Sequence, residues 1–154
     1  MIGVVAASVL ALAAQDSDSA ADALVACAPA TLEAAFECLD RHWPVRAEFR
    51  ARPYNALADA HFGIGMWMRN HWQMWGGGPL AEHFNSLGIH HPDDMSSIVL
   101  ESYWLRMHDC PIRLDEQVAY YQAWWDRPED SDMNDLLDTK PSLDCTAQPG
   151  ADAL

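Results

Sequence analysis

The chain has 154 residues, half of them hydrophobic, and a net charge of −14 at pH 7. This length is that of one domain with one core. Because an acidic surface repels phosphate groups, nucleic acid and anionic lipid headgroups are excluded as expected partners.

The negative charge is concentrated at the two ends of the chain. Residues 15–28 are small and acidic, as is typical of a linker. From Asp126 onward, eight acidic residues stand against two basic ones, a composition typical of disordered segments. We therefore expect a helical domain over residues 29–126 and an acidic, disordered tail over residues 127–154.

Ile2–Ala14 is a run of small and aliphatic residues. Its length and its small-residue ending are typical of a secretory signal peptide, and it is too short to span a bilayer. The usual preceding Lys or Arg is missing, and the alternative is a buried N-terminal helix. We predict that residues 1–14 are a signal peptide, so the mature protein is periplasmic or secreted and has no stable insertion in a membrane.

In an exported chain, four cysteines predict two disulfides, with three possible connectivities. Cys27 precedes a predicted helix, and Cys38 lies ~10 Å along that helix if it begins at Thr31. A four-residue extended segment can cover this distance, so Cys27–Cys38 is the easy local pair. Cys110 and Cys145 would then hold the tail against the domain. Metal binding is the alternative, although no Cys-x-x-Cys pair occurs.

Helix signals dominate the middle of the chain, and no strand signal rivals them. Thr31 is a predicted N-cap for the first helix, and Asn55 for a long helix that includes Trp72. Within the long helix, Gly63 and Gly65 each cost about 1 kcal/mol relative to alanine. This cost indicates that another group packs closely against the helix backbone.

Glycine and proline mark the boundaries of the following helices. Gly78 and Pro79 start a helix of about two turns, and Gly88 is placed to end it in the left-handed conformation. Pro92 starts a helix that is apolar on most sides and is therefore the predicted core helix. Asp115 is the predicted cap of the last helix. The chain is thus predicted to be all-α, a small bundle of four to five helices with glycine-rich turns.

The stretch from His61 to Leu100 holds five of the seven histidines and six of the eight glycines, so any site is expected there. Its motifs are HFGxGMWxRNxW from His61, WGG from Trp75, FN from Phe84 and GIHHPDDMS from Gly88. In these motifs the chain resembles a family of small bacterial domains that is known only as a domain of unknown function. The resemblance covers about Pro29 to Trp125, and it implies the boundaries of a domain and no activity.

Histidines and aspartates in this stretch form the first candidate site, since imidazole with carboxylate suits a divalent metal or acid–base catalysis. The candidates are His61, His71, His90, His91, Asp93 and Asp94. His61 and His71 lie about 280° apart around a helix and so point in different directions. No His-Glu-x-x-His pattern occurs. We favour the structural alternative, in which His91 caps a helix and the aspartates face its dipole.

Arg69 and Asn70 form the second candidate, as polar residues among tryptophans that include Trp75. A guanidinium there would clamp a carboxylate ligand. Its structural alternative, which we favour, is stacking on a tryptophan or bonding to an aspartate of the core helix. Exposed tryptophans would also form a platform for sugar rings. Trp124 and Trp125 are adjacent, so one of them is expected to be exposed.

No catalytic motif occurs in the sequence, and Ser96 and Ser97 lack the surroundings of a nucleophile elbow. We therefore expect a non-enzymatic binding or interaction module of the bacterial cell envelope, without a cofactor, whose partner is an envelope protein or a small ligand. The candidate binding residues are Arg69, Asn70, Trp75, His90, His91, Asp93 and Asp94. The alternative is a metal-dependent or acid–base enzyme that uses His90, His91, Asp93 and Asp94.

Overall fold

A computed structural model describes residues 19–54, 57–128, 130, 132 and 140. Over these residues the chain is helical and contains no strand, which confirms the predicted all-α class. Within the same ranges, no helix combines the length and the apolar character that a membrane span requires. The predicted signal peptide, the Asn55 cap, Cys145 and most of the acidic tail lie outside the described residues.

The helices are more numerous than the four or five predicted. One reason is that the predicted long helix is divided by a π-helical segment, and another is that short helices form on either side of the first predicted one. The described elements are α1 (residues 19–26), α2 (Leu32–His42), α3 (Arg46–Ala51), α4 (Leu57–Ala60), the π segment (His61–Gly65), α5 (Met66–His71), α6 (Pro79–Ser86), α7 (Pro92–Met107) and α8 (Leu114–Asp126).

Helix α7 is the core of the domain, as its apolar residues on most sides predict. Ten of its sixteen residues are buried, and it contacts each of the other elements from α2 to α8. Tyr103 lies at its centre, fully buried, with its ring centroid 5.8 Å from that of Phe36 and 6.2 Å from those of Trp43 and Phe49. Its hydroxyl donates a hydrogen bond to Asp40 over 2.8 Å. This aromatic cluster joins α2 and α3 to α7.

Local signals at the helix ends are confirmed in most cases. The Thr31 side chain accepts a hydrogen bond from the Ala34 N–H over 3.2 Å, and Gly88 has a φ of +81° after α6. The predicted cap at Asp115 is wrong. The carbonyl of Arg113 accepts the N–H groups of Glu116 and Gln117, so α8 begins at Leu114 with Arg113 as its N-cap.

The composition of residues 15–28 predicts a linker, but residues 19–26 of this segment are helical in the structure. Leu24 anchors this helix, with only 4% of its surface exposed. Its carbonyl accepts a hydrogen bond from the indole N–H of Trp72 over 3.0 Å. A buried indole N–H requires such an acceptor, so this bond joins α1 to the end of α5.

Cys27 and Cys38 form a disulfide, which confirms the predicted local pair. It connects the residue after α1 to the buried face of α2. Cys110 is buried and is not free, and its predicted partner lies outside the described residues. The disulfide therefore fixes the entry of the chain into the domain.

Removing this cross-link is expected to lower the free energy of unfolding by about 2–3 kcal/mol, because a loop of this size loses conformational entropy in the unfolded chain when it is closed. Cys27→Ser is the suitable variant, since Cys27 is only partly buried whereas Cys38 is packed in the core. Urea unfolding of both proteins measures the difference. An unchanged midpoint would contradict a stabilising role for the disulfide.

Candidate functional site

Arg69 lies on α5 with 5% of its surface exposed, and its guanidinium is held by three groups. Its Nε is 2.9 Å from a carboxylate oxygen of Asp93, in the first turn of α7. Its Nη1 donates hydrogen bonds to Ser96 Oγ over 2.8 Å and to the carbonyl of His61 over 3.3 Å. The side chain thus has the structural role of tying the π segment and α5 to α7.

Gly65 allows this arrangement because it brings the π segment close to the arginine. A Cβ atom at Gly65 would lie 3.3 Å from Arg69 Nη1 and 3.3 Å from a methyl group of Leu100. The predicted close packing against the helix backbone is therefore confirmed at Gly65. It is wrong at Gly63, where a Cβ atom would have no heavy atom within 4 Å.

His61 faces α7 next to the ion pair. Its Nδ1 lies within hydrogen-bond distance of Ser97 Oγ at 3.1 Å, and its Nε2 is 3.6 Å from Asp93 Oδ1. Burial lowers the pKa of His61, and the positive charge of Arg69 lowers it further, against the opposing effect of Asp93. The imidazole is therefore neutral at pH 7.

This lowered pKa predicts a pH dependence of stability. Below its ordinary pKa of 6.5, His61 takes up a proton more readily in the unfolded chain than in the folded protein, so its contribution to stability is lost as the pH falls through that range. The loss of stability between pH 7.5 and pH 5.5 should be smaller in His61→Gln than in the native chain, as measured by urea unfolding. Equal losses would show that His61 does not contribute.

His91 caps α7, as predicted, and its ring lies between two tryptophans. Its Nδ1 accepts a hydrogen bond from the Asp93 N–H over 3.2 Å. Its ring stacks on Trp125 at 5.3 Å and meets Trp75 edge-on at 5.9 Å. Both tryptophans are more than half exposed. We call Trp75, His91 and Trp125 the aromatic surface.

A groove of about 670 Å³ adjoins the aromatic surface, between α8 and the turn that precedes α7. Its walls carry two carboxylates, Asp94 and Asp126, and among the described residues they include neither lysine nor arginine. Asp94 accepts a hydrogen bond from the Trp125 indole over 2.7 Å, yet burial raises its pKa. We call this the acidic aromatic groove. The lining residues are Gly88, Ile89, His90, His91, Asp94, Tyr121, Gln122, Trp125 and Asp126.

The predicted site residues separate into groups. His90, His91 and Asp94 line the acidic aromatic groove, with Trp75 beside it on the aromatic surface, whereas Arg69 and Asp93 form the partly buried ion pair. Asn70 is exposed on α5.

The candidate histidines His71 and His90 bond locally. His71 donates to the carbonyl of Trp67 over 2.8 Å, and Nδ1 of His90 lies 3.1 Å from Oδ1 of Asn85. Among the described residues, no three His, Cys, Asp or Glu side chains are arranged to hold a metal ion.

Sequence reasoning missed the α8 side of the groove. Tyr121, Gln122 and Trp125 contribute one wall, and Trp125 lies within the aromatic surface. The available signal was the adjacent pair Trp124 and Trp125, for which one exposed ring was predicted. Trp125 is that ring, with 59% of its surface exposed.

A family model described as a domain of unknown function (DUF6794) matches residues 28–107. The match contains both residues of the partly buried ion pair, Arg69 and Asp93, and ends before α8, so it is shorter than the predicted resemblance. Among curated proteins and solved structures, none matches the chain.

Proposed function

We propose that this chain, which belongs to the DUF6794 family of unknown function, is a non-enzymatic binding module of the bacterial cell envelope. Its ligand is a cationic group, such as a lysine or arginine side chain of a basic partner, bound in the acidic aromatic groove. One observation carries the proposal: the groove combines two carboxylates with an exposed tryptophan, and no lysine or arginine is among the described residues of its walls.

Each part of the groove contributes to the attraction of a cation. An ammonium or guanidinium over an indole face gains about 0.5–2 kcal/mol, depending on how far it is desolvated. Asp94 is half-buried, and a bound cation would offset the cost of its desolvation. The net charge of −14 attracts basic partners over longer distances and increases their association rate.

The arrangement of the histidines supports binding over catalysis in this groove. His91 uses Nδ1 to cap α7, and its ring is held between Trp75 and Trp125. His90 is exposed and is bonded to Asn85. Among the described residues, neither histidine is hydrogen-bonded to a nucleophilic side chain, the arrangement by which a histidine activates such a nucleophile.

The envelope location rests on the disulfide and on the N-terminal sequence. A disulfide between Cys27 and Cys38 is typical of an oxidising compartment. The apolar run Ile2–Ala14 supports export by a signal peptide. A periplasmic or secreted protein with an acidic groove would meet basic segments of envelope proteins.

The proposal is tested by titrating the protein with a short arginine- and lysine-containing peptide and measuring binding by tryptophan fluorescence. Asp94→Asn is expected to weaken binding about tenfold, which corresponds to about 1.4 kcal/mol. The asparagine oxygen still accepts the indole N–H of Trp125, so the variant keeps the groove. Asp109→Asn is the matched control, since Asp109 is exposed and does not line the groove.

Two results would contradict this function. One is equal affinity of the native chain and Asp94→Asn for the basic peptide. The other is tighter binding of a neutral oligosaccharide than of the peptide, which would indicate that the aromatic surface is a sugar platform.

A further inference from the structure

A second groove, of about 310 Å³, lies along α7 at Glu101. Glu101 has 7% of its surface exposed, and burial raises the pKa of its carboxyl group. A buried carboxylate is costly unless a cation neutralises it and hydrogen bonds satisfy its oxygens. One buried negative charge therefore determines which ligands this groove accepts.

Lys140 supplies the cation from a point beyond the end of α8. Its Nζ lies 2.5 Å from Oε1 of Glu101 and 5.9 Å from the centroid of the Tyr120 ring, and Tyr54 lines the same groove. A carboxylate combined with two tyrosines is a set of groups that binds a primary ammonium. The protein thus contains an ammonium site that its own chain fills.

The other walls of the groove are suited to the alkyl stem and the backbone of a lysine residue. Leu57, Phe62 and Leu100 provide apolar surface, against which an alkyl stem packs. Ser97 lies one helical turn before Glu101 and, with His61, offers hydrogen-bonding groups to a peptide backbone.

We propose that this groove is a binding site for a primary alkylammonium group, that its ligand is a lysine side chain of a peptide, and that Lys140 occupies the site in cis until such a ligand displaces it. Exchange is feasible because Lys140 is 31% exposed and is held by a long, flexible stem. The proposal is independent of the acidic aromatic groove, since different residues line the two.

The test uses the full chain and its Lys140→Gln variant, titrated with Nα-acetyl-lysine methylamide in a calorimeter. The variant is expected to bind this ligand at least tenfold more tightly than the native chain does. The Nε-acetyl analogue, which has no charge, should bind to neither protein. A double variant, Glu101→Gln with Lys140→Gln, places two amides in the groove and should lose the binding.

Thermal unfolding provides a second measurement in case Lys140→Gln is poorly folded. The lysine amide should then raise the melting temperature of the variant, and the Nε-acetyl analogue should not. Equal affinity of the native chain and Lys140→Gln would overturn the proposal. The absence of both binding and stabilisation would overturn it as well. Tighter binding of 1,5-diaminopentane than of the lysine amide would exclude a peptide ligand in favour of a free amine.

Discussion

Asp93→Asn is expected to lower the free energy of unfolding by about 3 kcal/mol. The Arg69 side chain is only 6% exposed, and the substitution leaves its guanidinium in the protein interior without its counter-charge. Breaking a buried ion pair from one side costs about 3–5 kcal/mol. The low end of that range applies because the Asp93 side chain is 40% exposed and water already screens the pair.

Urea unfolding of Asp93→Asn, Arg69→Met and the double variant forms the thermodynamic cycle that isolates the interaction. The double variant should lose less stability than the sum of the two single variants, with a coupling of about 1–3 kcal/mol. Asp94→Asn is the matched control. It removes the next carboxylate in the same helical turn, which has no buried cation as its partner, and should cost at most about 1 kcal/mol. Additive losses in the cycle would show that the ion pair is not a stabilising unit.

Tyr103→Ala is expected to cost about 3–5 kcal/mol, the range for removing a large buried side chain. The ring has no exposed surface and contacts three other aromatic rings from α2, α3 and the segment between them. Its loss creates a cavity that α7, which packs against elements on every side, is poorly able to fill by moving.

Tyr103→Phe distinguishes the contribution of the ring to stability from that of the hydroxyl group. It removes only the hydrogen bond to Asp40, and Asp40 keeps its ion pair with Arg106 at 2.7 Å. The expected loss is about 1 kcal/mol. The denaturant midpoints of the two variants measure the loss of stability in each. Equal losses in Tyr103→Ala and Tyr103→Phe would mean that the hydrogen bond, and not the packing of the ring, determines stability at this position.

The features that were predictable from the sequence depend on neighbouring residues. The start of α7 is an example, since His91, Pro92 and the two aspartates form a cap and a first turn within four residues. The end of α6 at Gly88 and the disulfide between Cys27 and Cys38 are equally local. In each case the geometry of a short segment is enough to specify the contact.

The features that were not predictable depend on contacts between distant segments. Leu24 and Trp72 are 48 residues apart, and the hydrogen bond between them makes part of an apparent linker helical. Asp94 meets Trp125 across 31 residues, so the acidic aromatic groove exists only after α8 has packed on α7. The role of Arg69 could not be decided from the sequence for the same reason. Its partner, Asp93, lies on a different helix.

The π segment acts as a one-residue insertion between α4 and α5. Buried positions recur three or four residues apart within Leu57–Ala60 and within Gly65–Trp72, whereas Ala60 and Gly65 are five residues apart. One extra residue rotates everything before it by about 100° relative to a continuous α-helix. The π segment therefore rotates the residues before it about the helix axis. As a result the His61 ring points toward Ser97, while Met68, Arg69 and Trp72 remain buried.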